Sequence, residues 1–432
     1  MSDWNATRLG DCISVQGGYA FSSEFFQDSG IPLVRISNIV NQKIVDKSPI
    51  YLPSDFLELH GDYAASGNDS LIAMSGATTG KTALVMAKDL PFLINQRVGR
   101  FVIKDGDRID SLFLFYLVNY EEVQTQVLID AVGGAQPNIS SNDIERIVLS
   151  LPPLAQQQKI AKILSTVDNL IEKTQTLIDK YTAIKQGMMS DLFTRGIDLT
   201  AGSNYGKLRA SVEDAPELYK ETELGWVPKE WEVRSIEDVS LGGFKNGYFK
   251  DPRLVGDGIK LINVSELYQD YGIDITTEKV ERIKVSRKDY KKYKVEIGDI
   301  FFTRSSLVLE GIAKSNIVRI LPEEAVFECH VMRLKPDQNQ VEPEYLAIYT
   351  GLPAARNYLM SMAKQVTMTT IAQPDMVGLP VPVAPLGEQA KVMQQLNTIE
   401  ELIVKENAVM KKNKAIKKGL MQDLLTGKVK VN

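Results

Sequence analysis

Two stretches of the chain carry an apolar period of seven. In residues 151–195 one stripe is Ile163, Leu170, Leu177 and Ile184, a second is Ile160, Val167, Tyr181 and Met188, and a third is Leu164, Ile171 and Ile178. In 385–432 the stripes are Leu402, Val409, Ile416; Val392, Ile399, Leu420; and Leu396, Ile403, Met410. This spacing predicts two long α-helices, the first opening at Pro152–Pro153 because proline is tolerated at a helix start. Forty helical residues extend about 60 Å, and so wide an apolar face must bury against something as long as itself. The natural partner is the other helix in a two-helix coiled coil, with Ile163, Leu170, Leu177, Ile184, Leu402, Val409 and Ile416 as pairing residues. Polar residues at matching core-like places, Thr174 with Glu406 and Tyr181 with Asn413, would fix register. Gly187 and Gly419, also matched, suggest close backbone approach or a helix break.

The two helices are one segment written twice. Pro153 to Thr194 aligns without gaps on Pro385 to Thr426 at a shift of 232, with 18 of 42 positions identical. The shift extends back to Ile139 over Ile371 and Asp143 over Asp375, and weaker echoes lie upstream: Trp4 over Trp231, IPLVRISNI (31–39) over IKLINVSEL (259–267), NDSLIAMSG (68–76) over GDIFFTRSS (298–306). Internal repetition at this length predicts a duplicated architecture. The reading is a variable part at 1–150, a long helix at 151–195, a polar linker at 196–222, a second variable part at 223–384 and a second long helix at 385–432. The variable parts are rich in short β-branched and aromatic runs broken by Gly, Asn and Pro, which predicts mixed α and β structure. Residues 113–129 and 344–360 read as one short helix in each.

Composition narrows the chemistry. The 432 residues include only two histidines, His60 and His330, and two distant cysteines, Cys12 and Cys329. That leaves little material for a histidine-based metal site or triad and no disulfide framework, and it fits a reducing cytoplasm. No run of 18 apolar residues predicts a membrane span. The net charge is −5, with 11 basic against 18 acidic residues in 1–150. Neither half is a bulk polycation, so any nucleic-acid contact must use local basic loops or a partner's charge.

SGATTGKT (75–82) approaches a phosphate-binding loop, but Ser75 stands where the first glycine is required and the following TALVMAKDLPFLI is strand-like. A Gly/Thr-rich hairpin with an exposed Lys81 is the better account, and nucleotide hydrolysis the poorer one. No methyl-transfer or nuclease motif is present. What remains is base-reading chemistry on glycine-rich turns: Tyr19, Arg35, Asn38, Thr78, Lys81, Asn95, Arg97, Gln136 and Asn138 in the first half, and Lys245, Asn246, Tyr248, Asn263, Arg304, Ser305, Lys364 and Thr367 in the second. Arg, Lys, Asn and Gln can pair with guanine or adenine edges in the major groove. Taken singly, each is also what a solvated turn would carry.

With the repeat and these motifs laid out, the chain resembles the specificity subunits of type I restriction–modification systems, over essentially its whole length. The helix openings LPPLAQQQKIAKIL (151–164) and APLGEQAKVMQQL (384–396), the helix ends KQGMMSDLFTRGI (185–197) and KKGLMQDLLTGKV (417–429), and the lead-in KETELGWVPKEWEV (220–233) carry the resemblance. It departs at Gln156–Gln157, where the second copy has the usual Glu388–Gln389, and in lacking a proline before Trp4. The resemblance implies an α+β fold: two target-recognition domains joined by a pair of long antiparallel coiled-coil helices, with a pseudo-two-fold repeat. It implies a non-catalytic reader of a bipartite, asymmetric site in double-stranded DNA, docked to two methyltransferase subunits and to restriction/translocase subunits. S-adenosylmethionine, Mg²⁺ and ATP would then belong to those partners, with no cofactor in this chain. A stand-alone coiled-coil DNA-binding or structural protein is the alternative.

Overall fold

The computed structural model describes residues 4–129, 137–199, 206–365 and 368–431. The chain divides into two compact units, Met1–Ile178 with Glu406–Asn432, and Asp179–Lys405. The two long helices, Leu154–Thr194 and Leu386–Leu425, each give one half to each unit. Among the described residues, no helix is long and apolar enough to cross a membrane.

The first unit is built on an antiparallel sheet in the order Ile13–Gly17, Val98–Ile103, Ser70–Ala73, Thr82–Leu84. Beside it Ile31–Val34 lies between Tyr51–Leu52 and Leu93–Ile94, parallel to the latter. In the second unit Lys245–Asn246, Val331–Leu334, Ile300–Thr303 and Ser315–Ile320 follow the same order, with Ile273–Asp274 beyond them. Val255–Ile262 is again antiparallel to one neighbour, Arg282–Ile283, and parallel to the other, Ala325–Phe327. Asn5–Arg8 pairs with Val148–Leu151, and Glu232–Ser235 with Pro380–Val383, just ahead of each long helix. The strand echoes at 31–39/259–267 and 68–76/298–306 are therefore structural.

Each of the two short helices expected, at 113–129 and 344–360, is a pair. The helical segment breaks into Ser111–Val118 and Glu121–Ile129 in one unit, and into Pro343–Gly351 and Pro353–Ser361 in the other. Pro353 has no N–H to donate and disfavours helical φ/ψ at Leu352, while Asn119 ends the first helix as its cap.

A buried glutamine ties each long helix to its unit. Gln157 Oε1 accepts from Asp110 N (3.0 Å), and its amide donates to Arg108 O and Pro152 O (both 2.9 Å). Gln389, shifted by 232, accepts from Glu342 N (2.8 Å) and donates to Gln340 O (3.1 Å) and Ala384 O (2.7 Å). Both side chains are fully buried, and all three bonds recur at the same shift.

Within each unit the helix halves pack antiparallel. In the first, Ile160, Ala161 and Leu164 share a core with Leu424 and Leu425, and further along Asp168 pairs with Lys417 at 2.7 Å. In the second, Leu192 and Phe193 share a core with Val392, Met393 and Leu396, and Lys185 pairs with Glu400. The repeat carries Asp168 onto Glu400 and Lys185 onto Lys417, so the two ion pairs are one contact written twice. Lys417 also lies over the Tyr116 ring, whose hydroxyl donates to Asp168 at 2.7 Å; burial, and then Asp168, push that phenol far above its ordinary value.

The pairing face differs from the one expected. The seam uses the second and third stripes, through buried Ile160, Leu164, Val392, Leu396, Ile399, Ile403 and Met410. Of the pairing residues expected, Ile163 is half-buried against the first unit's core. Leu170, Leu177, Ile184, Leu402, Val409 and Ile416 are 37–48% exposed. The seam advances by alternating steps of four and three from Ile160 through Leu164 and Val167 to Ile171, the spacing that keeps one face inward. The exposed stripe sits one residue before each fourth-step position, on the flank. Thr174 is buried with its hydroxyl bonded to Leu170 O at 2.8 Å. Gly187 and Gly419 neither break their helices nor meet a close neighbour: an added Cβ would find open space at both.

The polar segment expected as linker is folded over its described part. Ile197–Asp198 pairs with Lys207–Leu208, and Tyr219–Thr222 with Gly225–Pro228. Arg209 reaches Glu388 (2.5 Å), whose Oε1 also accepts from Ile197 N (2.7 Å). Gly196, at φ +63°, leaves no room there for a Cβ, which would lie 2.1 Å from Glu388 Oε1. One buried, hydrogen-bonded ion pair holds the segment, which a search for apolar periodicity cannot detect.

Candidate nucleic-acid interface

All four strands of the first sheet end their loops on one side, at Gly17, Val98, Ala73 and Thr82, and most candidate residues gather there. Tyr19 N donates to Ile94 O (2.9 Å), Gln96 N to Tyr19 O (3.0 Å) and Asn95 N to Val34 O (3.0 Å), so Tyr19, Asn95 and Arg35 leave adjacent strand ends. Gly18 makes this possible: a Cβ there would lie 2.2 Å from Ile94 O. The Tyr19 ring is 40% exposed and packs on Phe21, His60 and Tyr63. Met74 N donates to Arg97 O and Ile139 N to Met74 O (both 2.9 Å), and Ser75 bridges Asn138. Arg97, Asn138 and Lys81 are exposed and Asn95 is half-buried.

The near-phosphate-loop sequence is a hairpin between Ser70–Ala73 and Thr82–Leu84, turning through Gly76–Thr78. Thr78 is half-buried. Two candidates do other work. Arg35 donates to Ser48 O at 2.8 Å. Buried Asn38 accepts from Arg35 N (3.0 Å) and donates to Val45 O (3.0 Å) and Lys47 O (3.2 Å). Asn38 shapes the loop and presents nothing to solvent.

The second unit repeats the scaffold with different side chains. Gly247 replaces Gly18, an added Cβ lying 2.1 Å from Glu328 O; Tyr248 N donates to Phe327 O at 2.7 Å and bridges Glu328. Arg304 N donates to His330 O (2.9 Å) and Ile371 N to Arg304 O (3.1 Å), the bonds Met74 makes in the first unit. Ser305–Ser306 pairs with Thr369–Thr370, which pairs with Lys364–Gln365. Lys245, Asn246, Arg304 and Lys364 are exposed, and Ser305 and Tyr248 half-buried. Asn263, half-buried, donates from its backbone to Glu266 (2.7 Å) and from its amide to Leu261 O (3.2 Å) and Glu281 (3.3 Å), so its side chain too is engaged within its unit. Gln136 and Thr367 lie outside the described residues.

This matching reveals positions that sequence reasoning missed. Glu328, Cys329 and His330 stand where the first unit has Asn95, Gln96 and Arg97. No residue type is shared, so only the backbone bonds at Phe327 and Arg304 disclose the correspondence. Their ligand atoms lie within 4.8 Å of one another, yet a metal is poorly served. Glu328 already accepts from His330 N (3.0 Å), His330 Nδ1 is 3.3 Å from Ser305 Oγ, and burial and then Glu328 push the Cys329 thiol up, away from the thiolate a metal needs.

Comparison with known proteins agrees with this duplicated scaffold. The family described as the type I restriction modification DNA specificity domain matches residues 1–182 and again 228–417. The chain belongs to that family. Among characterised relatives, the type I restriction enzyme MjaVIII specificity subunit of Methanocaldococcus jannaschii is 24% identical, covering 99% of this chain and 93% of that protein. The EcoKI specificity subunit of Escherichia coli K12 is 22% identical, covering 92% and 82%. The crystal structure of the type I restriction–modification S subunit from M. genitalium superposes with a TM-score of 0.58 at 15% identity, covering 98% of this chain and 96% of that one. A chain from a study of complex assembly and conformational transition in the type I system gives 0.51, at 15% identity and 99% and 98% coverage. The chain is thus a type I restriction–modification specificity subunit, and the two family matches fall on the two halves of the repeat.

Proposed function

We propose that each unit of this specificity subunit reads one half of a bipartite, asymmetric DNA site through its loop cluster. The observation that carries this is one backbone scaffold, Gly18–Tyr19 and Gly247–Tyr248 with their hydrogen-bonded neighbours, bearing half-buried Asn95 and exposed Gln96 and Arg97 in one unit and half-buried Cys329 and exposed His330, beside buried Glu328, in the other. A shared frame with exchanged side chains suits reading two different base sequences. In this reading the long helices form a continuous coiled coil that sets the unread spacer, and two methyltransferase subunits dock on the chain. The exposed stripes Leu170–Leu177–Ile184 and Leu402–Val409–Ile416 support the docking: exposed apolar rows on helices invite further helices. Adenine methylation with S-adenosylmethionine, and Mg²⁺- and ATP-dependent translocation and cleavage, then belong to cytoplasmic partner subunits. Acidic net charge is tolerable where partners supply much of the phosphate contact.

The test is methylation-site sequencing of the host genome with the gene intact, deleted, and with residues 1–150 exchanged for another recognition domain. Loss of one bipartite motif on deletion, and alteration of one half-site on exchange, are expected. A change in both half-sites would overturn modular reading.

A further inference from the structure

The second unit carries an apolar tip that the first lacks. Between its matched strands the loop from Arg304 to Ala313 is three residues longer than its counterpart from Met74 to Gly80, the matching fixed by the backbone bonds of Thr303 with Ala313 and Lys314 and of Ala73 with Gly80 and Lys81. After Met74 and Ser75 the counterpart's tip has only small residues, Gly76–Ala77–Thr78–Thr79. The longer loop presents Leu307, 85% exposed, and Val308, 57% exposed. Ser306 pairs with Thr369, so Met368, the residue before Thr369 and 42% exposed, lies at the same end of the ribbon as Leu307. Apolar side chains so exposed gain free energy when a partner removes them from water, and adjacent ones mark an interaction site. Arg304 and Lys364, on the same ribbon, are exposed cations, which favours a phosphate-bearing surface as the cover.

We propose that Leu307 and Val308 recognise a thymine through its C5-methyl group in the half-site read by the second unit. The major groove presents that methyl as the one apolar mark on a base edge, and two aliphatic side chains at a loop tip match it in chemistry. This rests on the reading that the loop clusters contact DNA. The first unit has only Ala77 and a half-buried Thr78 at the equivalent place, on a loop three residues shorter, and so offers a thymine methyl less apolar surface; the two half-sites are expected to differ in their dependence on thymine methyls.

The experiment uses the specificity subunit purified with its methyltransferase partner, and duplexes carrying the mapped site. Each thymine of the half-site that survives exchange of residues 1–150 is replaced singly by deoxyuridine, which removes only the methyl. One replacement is expected to weaken wild-type binding about fourfold, the worth of one buried methyl-sized group. The Leu307→Ser/Val308→Ser variant, altered only at exposed positions, is expected to bind both duplexes equally. If the complex prefers its site but every deoxyuridine is neutral, or if the variant still discriminates, the methyl contact is refuted while half-site reading stands. If the complex shows no site preference, both fall.

Discussion

Single residues decide how each recognition unit is joined and how its loops lie. Gln157 and Gln389 each fill three hydrogen bonds in a fully buried position. Truncation to alanine strands one N–H and two carbonyls; of these Pro152 O and Ala384 O are buried and the others only part-buried, and a buried group left unpaired costs about 1–3 kcal/mol. Gln157→Ala and Gln389→Ala should therefore each destabilise by about 1–3 kcal/mol, seen as lower urea midpoints, with losses that add because the sites share no partner. A loss below about 1 kcal/mol for either would show that the bonds are replaceable. Gly18 and Gly247 act on loop placement instead. A methyl there meets a carbonyl oxygen at 2.2 or 2.1 Å, so Gly18→Ala should move Tyr19 away from Asn95 and weaken binding to one half-site by about tenfold or more, the worth of one good base contact. The complex should otherwise stay assembled; undiminished discrimination at both half-sites would sever the link between this backbone approach and base reading.

At the scale of elements, the two kinds of apolar row on the long helices separate stability from assembly. Leu164 and Leu396 lie in the seam with almost no exposed surface, whereas Leu177 and Val409 are 38% and 37% exposed. Leu164→Ala or Leu396→Ala should cost about 2–5 kcal/mol in denaturant unfolding. Leu177→Glu with Val409→Glu should cost within about 0.5 kcal/mol each, yet abolish co-purification with the methyltransferase subunit. Retained co-purification would show that the stripe is not its dock. This distinction was invisible in the sequence. The duplicated block made the helices, their length and their mutual pairing legible, because chance does not repeat 18 identities in 42 positions. But three adjacent apolar stripes fit one helix equally well, and only the packed partner decides which of them faces inward. Asn38 and Asn263 misled for a related reason: short amides on turns serve local backbone bonds as readily as base edges, and here they do the former. The hairpin at 75–82 was legible because its glycine spacing fails the geometry of phosphate binding. The match of Glu328–Cys329–His330 to Asn95–Gln96–Arg97 was not, because the scaffold constrains backbone bonds there and leaves side chains free.

For the whole molecule, the informative fact is where the chain passes between its units: at Ile178/Asp179 and at Lys405/Glu406, both inside the long helices. The Asp168–Lys417 pair belongs wholly to one unit and the Lys185–Glu400 pair to the other. Seven residues inserted at both crossing points would leave each unit's seam, ion pair and loop cluster intact, and would return each helix to nearly the same face. The added rise is about 10 Å, the length of roughly three base pairs at 3.4 Å each. Each added pair also turns the duplex by about a tenth of a revolution, so twist opposes full use of that length and a gain of about one to three pairs is expected. Methylation-site sequencing of a strain carrying the insertion should therefore return both original half-sites around a longer spacer. An unaltered spacer would mean that the distance between half-sites is set elsewhere, by the partner subunits or by the DNA, and altered half-sites would mean that the helices take part in reading bases.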